Sequence, residues 1–93
     1  PLLPIALDLA QQGFATGAAE RNWASYGQDV VLPQGMEEWQ RKLLCDPQTS
    51  GGLLVSCAPE AADQVLDVFR RQGFGHAAVI GSMRSGDSRV TVN

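Results

Sequence analysis

The run Asp-Pro-Gln-Thr-Ser-Gly-Gly at residues 46–52 separates a helical pattern from an apolar one. Pro47 disfavours helical geometry in the residue before it, so a preceding helix ends here. Gly51 and Gly52 allow backbone geometries that other residues avoid. Residues 52–57 then form a short apolar run, typical of a strand buried on both faces. The sequence therefore predicts a tight joint between a helix and a buried strand.

The rest of the chain predicts helices and further short strands. Apolar residues recur at helical spacing in three segments, namely residues 1–13, 36–45 and 59–72. Strands are predicted at residues 30–32, 77–83 and 89–92, the last two forming a hairpin. The remainder of residues 14–34 follows neither period and is expected to be irregular. These elements predict an α/β (α+β) fold with a small mixed sheet covered by helices, as one partial domain spanning residues 1–93.

Composition excludes several classes of function. The net charge is −3 and the seven basic residues are scattered, whereas a nucleic-acid binder more often carries a basic patch. No apolar run approaches the roughly 20 residues that cross a bilayer, so no membrane partner is expected. Cys45 and Cys57 are the only cysteines and fit no common zinc or redox spacing. We expect both to be small buried hydrophobic residues of a cytoplasmic protein.

Residues 46–52 are the one dense cluster of candidate ligand-binding residues, and Arg21 and Asn22 are weaker candidates. A Ser-Gly-Gly turn with free N–H groups can cradle an anion such as phosphate, but phosphate loops usually run from a strand into a helix, and the P-loop lysine is absent. A purely structural joint is the favoured alternative. Arg21 can bind a phosphate with two hydrogen bonds or form an ordinary ion pair. Asn22 can contact a ligand or cap a helix beginning at Trp23.

The nine residues Asp46-Pro47-Gln48-Thr49-Ser50-Gly51-Gly52-Leu53-Leu54, set between a helix and a strand, resemble the selenophosphate synthetases, also called selenide, water dikinases. Leu2-Leu3-Pro4, the pair Arg21-Asn22 and residues 73–81 are similar to other parts of the C-terminal domain in that family, which shares its two-domain build with aminoimidazole ribonucleotide synthetase. The resemblance spans most of the chain, although only the nonapeptide is sharply specific. Because the chain begins at Pro1 rather than Met, we expect it to be a piece of a longer protein.

The resemblance implies a transferase that makes selenophosphate from selenide, ATP and water, with AMP and phosphate as the other products. It implies ATP and Mg²⁺ as cofactors, bound mainly outside this fragment, a homodimer or other homo-oligomer, and a missing N-terminal domain as partner. The nucleophile, its lysine and the metal-binding aspartates of the family lie N-terminal to this segment. We therefore expect no catalytic and no metal-binding residue here, and no activity of the chain alone. Candidate ligand or interdomain contacts are Arg21, Asn22, Gln48, Thr49, Ser50, Gly51 and Gly52.

One departure from the family pattern leaves other functions open. Gly17-Ala18-Ala19-Glu20 precedes Arg21-Asn22 where the family tends to have Gly-Gly-Thr or a similar run, so a substrate contact from that backbone is not carried over. The departure slightly favours a non-catalytic interaction or dimerisation module. A purine-pathway relative from the same superfamily is a further alternative, against which the nonapeptide argues.

Overall fold

The computed structural model describes residues 2–93, which form two compact units. The larger unit comprises residues 2–51 and 86–93, and the smaller unit comprises residues 52–85. The helices of the larger unit are α1 (Pro4–Gln11), α2 (Gly17–Tyr26) and α3 (Glu38–Leu44), and its strands are β1 (Val30–Val31) and β2 (Val90–Thr91). The smaller unit holds α4 (Ala62–Arg71). The chain thus combines helices with strands, as predicted for the α/β class. The predicted start of the first helix, Pro1, lies outside the described residues.

Two helices end as their sequences predict. Gly13 and Gly73 follow the last residues of α1 and α4 with φ of 90° and 89°, a backbone geometry that favours glycine. At the end of α4 the Gly73 N–H donates to Arg70 O at 3.0 Å and the Phe74 N–H donates to Phe69 O at 2.9 Å. The Phe69 and Phe74 rings meet edge to face with centroids 6.4 Å apart. This hydrophobic contact across the cap fixes the direction in which the chain leaves the helix.

Helix α3 confirms the pattern seen at residues 36–45. It begins with a reciprocal cap between Glu37 and Gln40, in which the Glu37 N–H donates to Gln40 Oε1 at 2.8 Å. Arg41 and Lys42 lie in its last turn, where cations interact favourably with the helix dipole. Because the helix ends at Leu44, residues 46–52 begin directly after its cap.

Helix α2 contradicts the prediction that residues 14–29 are irregular. It starts at Gly17 and contains strong helix formers such as Ala18 and Glu20, but its apolar residues follow no clear helical period. Ala19 is fully buried, and the helix contacts α3. Propensity and packing therefore both favour a helix that apolar periodicity did not indicate. Asn22 lies in the middle of this helix and does not cap a helix beginning at Trp23.

The strand pairing differs from the predicted hairpin. Val30 and Val31 of β1 pair in parallel with Val90 and Thr91 of β2, and the Val92 N–H donates to Val31 O at 2.9 Å. The prediction that residues 89–92 pair with residues 77–83 is therefore wrong. In the described structure the sheet consists of two parallel strands rather than a mixed set.

The apolar runs at residues 52–57 and 77–83 form no strand in the smaller unit as described. A strand needs a hydrogen-bonded neighbour, and neither run has one there. Leu53 and Leu54 are each 82% exposed. Cys57 is exposed as well, which corrects the prediction that it is buried, since the segment that carries it packs on no other strand.

Small side chains form the centre of the larger unit. Its buried hydrophobic residues are Ala10, Ala19 and Cys45, which lie on α1, on α2 and just after α3. Their size allows the three helices to approach closely. Within residues 2–93, no helix is long and apolar enough to span a membrane.

Candidate functional site

The junction, residues 46–52, follows α3. Asp46 is its first residue, and both of its carboxylate oxygens accept hydrogen bonds. The Thr16 hydroxyl donates to Oδ1 at 3.1 Å, and Gln48 Nε2 donates to Oδ2 at 3.0 Å. Thr16 stands immediately before α2, but its side chain binds Asp46 instead of capping its own helix. The junction is thereby tied to the beginning of α2.

Asn22 makes the second tie between α2 and the junction. Its Nδ2 donates to the backbone carbonyl of Cys45 at 2.9 Å, in a partly buried position. The last carbonyls of a helix lack intrahelical partners, so this bond satisfies one of them at the end of α3. The structure therefore places Asn22 against the residue that precedes Asp46, 23 positions further along the chain.

The other candidate residues are more exposed. Arg21 lies beside Asn22 on α2 and forms no ion pair with any described residue. Thr49 and Ser50 form an exposed turn. Gly51 and Gly52 both have ordinary φ values, so the expectation that they adopt geometries closed to other residues is wrong. A side chain at Gly52 would meet nothing within 4 Å, so the described structure itself does not require glycine there.

An ion-pair network lies on the facing sides of α2 and α3. Arg41 Nη2 is 3.1 Å from Glu20 Oε1, while Lys42 Nζ is 3.4 Å from the same oxygen and 2.6 Å from Glu38 Oε1. The hydrogen bond from Arg41 holds the pKa of Glu20 below its usual value. The hydrogen bond to Glu38 raises the pKa of Lys42. Both groups are therefore charged at neutral pH and link the two helices.

The lowered pKa of Glu20 predicts a pH-dependent stability. A carboxyl with a lower pKa in the folded state stabilises the protein above its unfolded pKa, and that contribution disappears as the pH falls through the folded value. We expect Glu20→Gln to remove part of the stability loss that the chain shows on acidification below about pH 4.3. The effect is small because the pair is exposed. Urea unfolding at several pH values measures it.

Glu60→Gln is the matched control for that experiment. Glu60 lies in the 3₁₀ turn before α4 and forms no ion pair within residues 2–93. Glu60→Gln removes a carboxylate without removing an ion pair, so it should not reproduce the effect of Glu20→Gln. Identical pH profiles for Glu20→Gln and the unsubstituted chain would contradict the role given to the network.

Sequence reasoning missed Thr16, Glu20 and Arg41. Arg41 is mostly buried, with its guanidinium carbon 5.1 Å from the centre of the Trp23 ring, so it makes a cation–π contact besides its ion pair. Glu20 and Trp23 are far from Arg41 in sequence, and only the packing of α2 on α3 brings them to it. The one local signal was Thr16, a favoured residue at the start of a helix.

The structure thus brings Asn22 together with the start of the junction and keeps Arg21 on the same helix. Within residues 2–93, no group of three or more His, Cys, Asp or Glu side chains is arranged so that it could hold a metal ion. Arg21 and the turn at Thr49 and Ser50 offer exposed guanidinium and hydroxyl donors, which suit an anion or a protein surface.

The family described as AIR synthase related protein, C-terminal domain, matches residues 6–93. The chain belongs to this family. Membership in the AIR synthase related C-terminal domain family agrees with the mixed content of helices and strands.

Relatives of this domain are named selenide, water dikinase. The chain is 56% identical over 92 residues to the protein of that name from Paraburkholderia xenovorans (strain LB400), and 53% identical over 92 residues to that from Rhizobium meliloti (strain 1021). Each of these alignments covers 99% of this chain and 26% of the relative. A third such relative, from Burkholderia ambifaria (strain MC40-6), is 61% identical over 80 residues, or 86% of this chain and 23% of the relative. The chain therefore spans about a quarter of the length of these relatives, and no solved structure matches it.

Proposed function

We propose that this chain is the C-terminal part of a selenide, water dikinase, an ATP-dependent phosphotransferase that makes selenophosphate from selenide and ATP, with AMP and phosphate as the other products. The observation that carries the proposal is the 56% identity to a relative of that name over 92 residues. The nonapeptide at residues 46–54 supports it, because this run resembles the one typical of that family.

In this proposal the candidate residues contribute contacts rather than catalysis. Arg21, Asn22 and residues 48–52 serve ligand or interdomain contacts, and the bond from Asn22 to Cys45 also holds the start of the junction. Exposure of Arg21 and of the turn at residues 49–50 supports such a role, because these donors are accessible. ATP and Mg²⁺ bind mainly to the rest of the full-length protein.

The same proposal assigns a partner to the apolar runs of the smaller unit. Residues 52–57 and 77–83 carry exposed side chains such as Leu53, Ile80 and Met83, which are 82%, 68% and 86% exposed. Exposed apolar surface of this extent marks a surface that another part of a protein covers. We propose that these runs join a mixed sheet covered by helices in the full-length protein, with the N-terminal domain of the same polypeptide as partner. We further propose that the full-length protein is a cytoplasmic homo-oligomer.

The test compares the full-length protein with the 93-residue chain. The full-length protein should form AMP from ATP only when selenide is present, and the chain alone should form none, since the groups that perform the chemistry lie elsewhere. The measurement is AMP by chromatography, with selenide omitted in the matched control. Failure of the full-length protein to form selenide-dependent AMP would refute the proposal. Measurable AMP from the chain alone would refute the part of the proposal that places the catalytic groups outside this chain.

A further inference from the structure

Asp46 determines which way the side-chain amide of Gln48 points. Its Oδ2 accepts a hydrogen bond from Gln48 Nε2 at 3.0 Å, and its Oδ1 accepts one from the Thr16 hydroxyl at 3.1 Å. A carboxylate has acceptors alone, so only the Nε2 side of the amide can face it. The carbonyl oxygen Oε1 of Gln48 therefore faces away from Asp46, and it accepts no hydrogen bond within residues 2–93.

The backbone on both sides of Asp46 is fixed as well. The Asp46 N–H donates to Leu43 O at 3.3 Å, and the carbonyl of Cys45 accepts a hydrogen bond from Asn22 Nδ2 at 2.9 Å. Pro47 follows, and its ring fixes φ at about −65°. Asp46 therefore has a defined place at the end of α3, from which its carboxylate can hold the amide.

Gly51 leaves room for the same side chain. A Cβ at Gly51 would lie 3.3 Å from Gln48 Cβ, closer than ordinary van der Waals contact, whereas a Cβ at Gly52 would meet nothing within 4 Å. Asp46 thus orients the amide of Gln48, and Gly51 leaves space for its stem. Gln48 is exposed, so its carbonyl oxygen is accessible to a hydrogen-bond donor.

We propose that Gln48 is a specificity-determining contact of the proposed enzyme, with Asp46 as its positioning residue, and that Gln48 Oε1 accepts a hydrogen bond from an amino or hydroxyl group of the bound nucleotide. The inference rests on the proposed function, which supplies the nucleotide. It deepens that function, because it assigns one atom of the junction to one kind of chemical group.

The chemistry of the reactants favours the nucleotide. Selenide and phosphate are anions, which a carbonyl oxygen repels, whereas ATP carries an amino group on its base and hydroxyl groups on its ribose. The hydroxyls of Thr49 and Ser50 are exposed donors on the same turn, and they suit the phosphates of ATP. Another domain fits this surface less well, because residues 46–52 contain no large apolar side chain and the core of a protein interface is usually apolar.

Calorimetric titration of the full-length protein with ATP in the presence of Mg²⁺ tests the contact. Gln48→Leu removes Oε1 without adding charge and should raise the Kd for ATP about two- to tenfold, the range expected for one neutral hydrogen bond. The matched probe is inorganic tripolyphosphate, which has phosphates but no amino or ribose groups, and its Kd should not change. An unchanged Kd for ATP, or an equal rise for both probes, would overturn the proposal.

A double substitution tests the role of Asp46. We expect Asp46→Ala to raise the Kd for ATP severalfold, because the Gln48 amide is then free to turn, and to have no further effect in a Gln48→Leu background. A merely structural role of Asp46 would raise the Kd equally in both backgrounds. Asp8→Ala is the matched control, since Asp8 is exposed and its carboxylate forms no hydrogen bond or ion pair within residues 2–93. It should leave the Kd unchanged.

The two glycines provide an independent check. Gly51→Ala displaces the stem of Gln48 and should raise the Kd for ATP, whereas Gly52→Ala has open space around it and should not. Equal effects of the two substitutions would contradict the role given to Gly51.

The same samples separate the remaining outcomes. If Gln48→Leu lowers the Tm of the full-length protein but not of the 93-residue chain, and the Kd for ATP is unchanged, Gln48 contacts another domain and the proposal is refuted. Selenide-dependent AMP formation is measured in parallel. AMP formation with no effect of Gln48→Leu on ATP binding refutes only this inference, whereas the expected change in ATP binding without AMP formation refutes only the proposed function. A full-length protein that binds no ATP refutes both.

Discussion

Gly27→Ala is expected to destabilise the chain by about 1–2 kcal/mol, although Gly→Ala in helical geometry usually stabilises. Gly27 follows α2 with φ −58° and ψ −25°, a conformation that alanine adopts without strain. A Cβ at this position would, however, lie 2.7 Å from Trp23 Cε2 and 2.8 Å from Cδ2. These are fused-ring atoms, and Arg41 lies against the same ring, so the indole cannot move away freely.

Two opposing contributions decide whether Gly27→Ala raises or lowers the stability of the chain. Reduced freedom of the unfolded chain favours alanine by about 0.4–1 kcal/mol, and overpacking against a ring costs about 1–3 kcal/mol. The overpacking term is larger. Thermal unfolding followed by circular dichroism should show a lower Tm, by roughly 4–8 °C for each kcal/mol in a domain of this size.

Two variants make that prediction specific. Gly17→Ala introduces the same methyl group in the first turn of α2, where the nearest atom outside its own helix backbone is Arg21 Nη1 at 3.9 Å, and it should be neutral or stabilising. In a Trp23→Ala background Gly27→Ala should lose its cost, because the ring is gone. If Gly27→Ala is as stable as the unsubstituted chain, the close contact with Trp23 does not exist in solution.

The sequence predicted those elements whose signals are local. The helices at residues 36–45 and 59–72 carry their own caps and charges, and Gly73 marks the end of the second one by geometry alone. Helix α2 lacks a clear apolar period, although Ala18, Ala19 and Glu20 are strong helix formers. Apolar periodicity therefore could not reveal it, and the burial of Ala19 appears only in the structure.

Strands depend even more on partners far away in sequence. Val30 and Val90 pair across 60 residues, and nothing in either dipeptide specifies the other. The pattern at residues 77–83 correctly showed an apolar run but not whether a neighbour exists to pair with it. In the proposed full-length protein that neighbour lies outside this chain.

The candidate site was predictable in position and not in detail. Pro47 and the two glycines marked the junction from sequence, and the pair Arg21-Asn22 was noted through its donor side chains and a family resemblance. The bond from Asn22 to Cys45 required the packing of α2 on α3. Sequence therefore located the segments, and the structure supplied the contacts between them.

Asn22→Asp should lower the free energy of unfolding by about 2–3 kcal/mol at pH 7, more than Asn22→Leu, a change of similar size. The substitution replaces the Nδ2 donor with a carboxylate oxygen that faces the Cys45 carbonyl. It also places a negative charge at the C-terminal end of α3, where the helix dipole disfavours it. Asn22→Leu, which removes the hydrogen bond without adding charge, should cost less.

The pH dependence identifies the cause. Repulsion from the carbonyl raises the folded-state pKa of the introduced carboxyl. The stability loss of Asn22→Asp is therefore full above that pKa. It shrinks as the pH falls below about 5, because the protonated carboxyl can donate a hydrogen bond again. Urea unfolding between pH 4 and 7 measures this change. Gln28→Glu makes the same amide-to-carboxylate exchange at an exposed residue and should have little effect. A penalty independent of pH would contradict the hydrogen bond to Cys45.

The same variants distinguish a positioning role from a ligand contact in the proposed full-length enzyme. If Asn22 acts only by holding the junction, then Asn22→Asp and Asn22→Leu should lower activity in the order in which they lower stability, and lowering the pH should restore both properties of Asn22→Asp together. A direct contact with the substrate would raise KM for Asn22→Leu beyond what its stability loss explains. Since Nδ2 is already engaged by Cys45 O at 2.9 Å, we expect the first result.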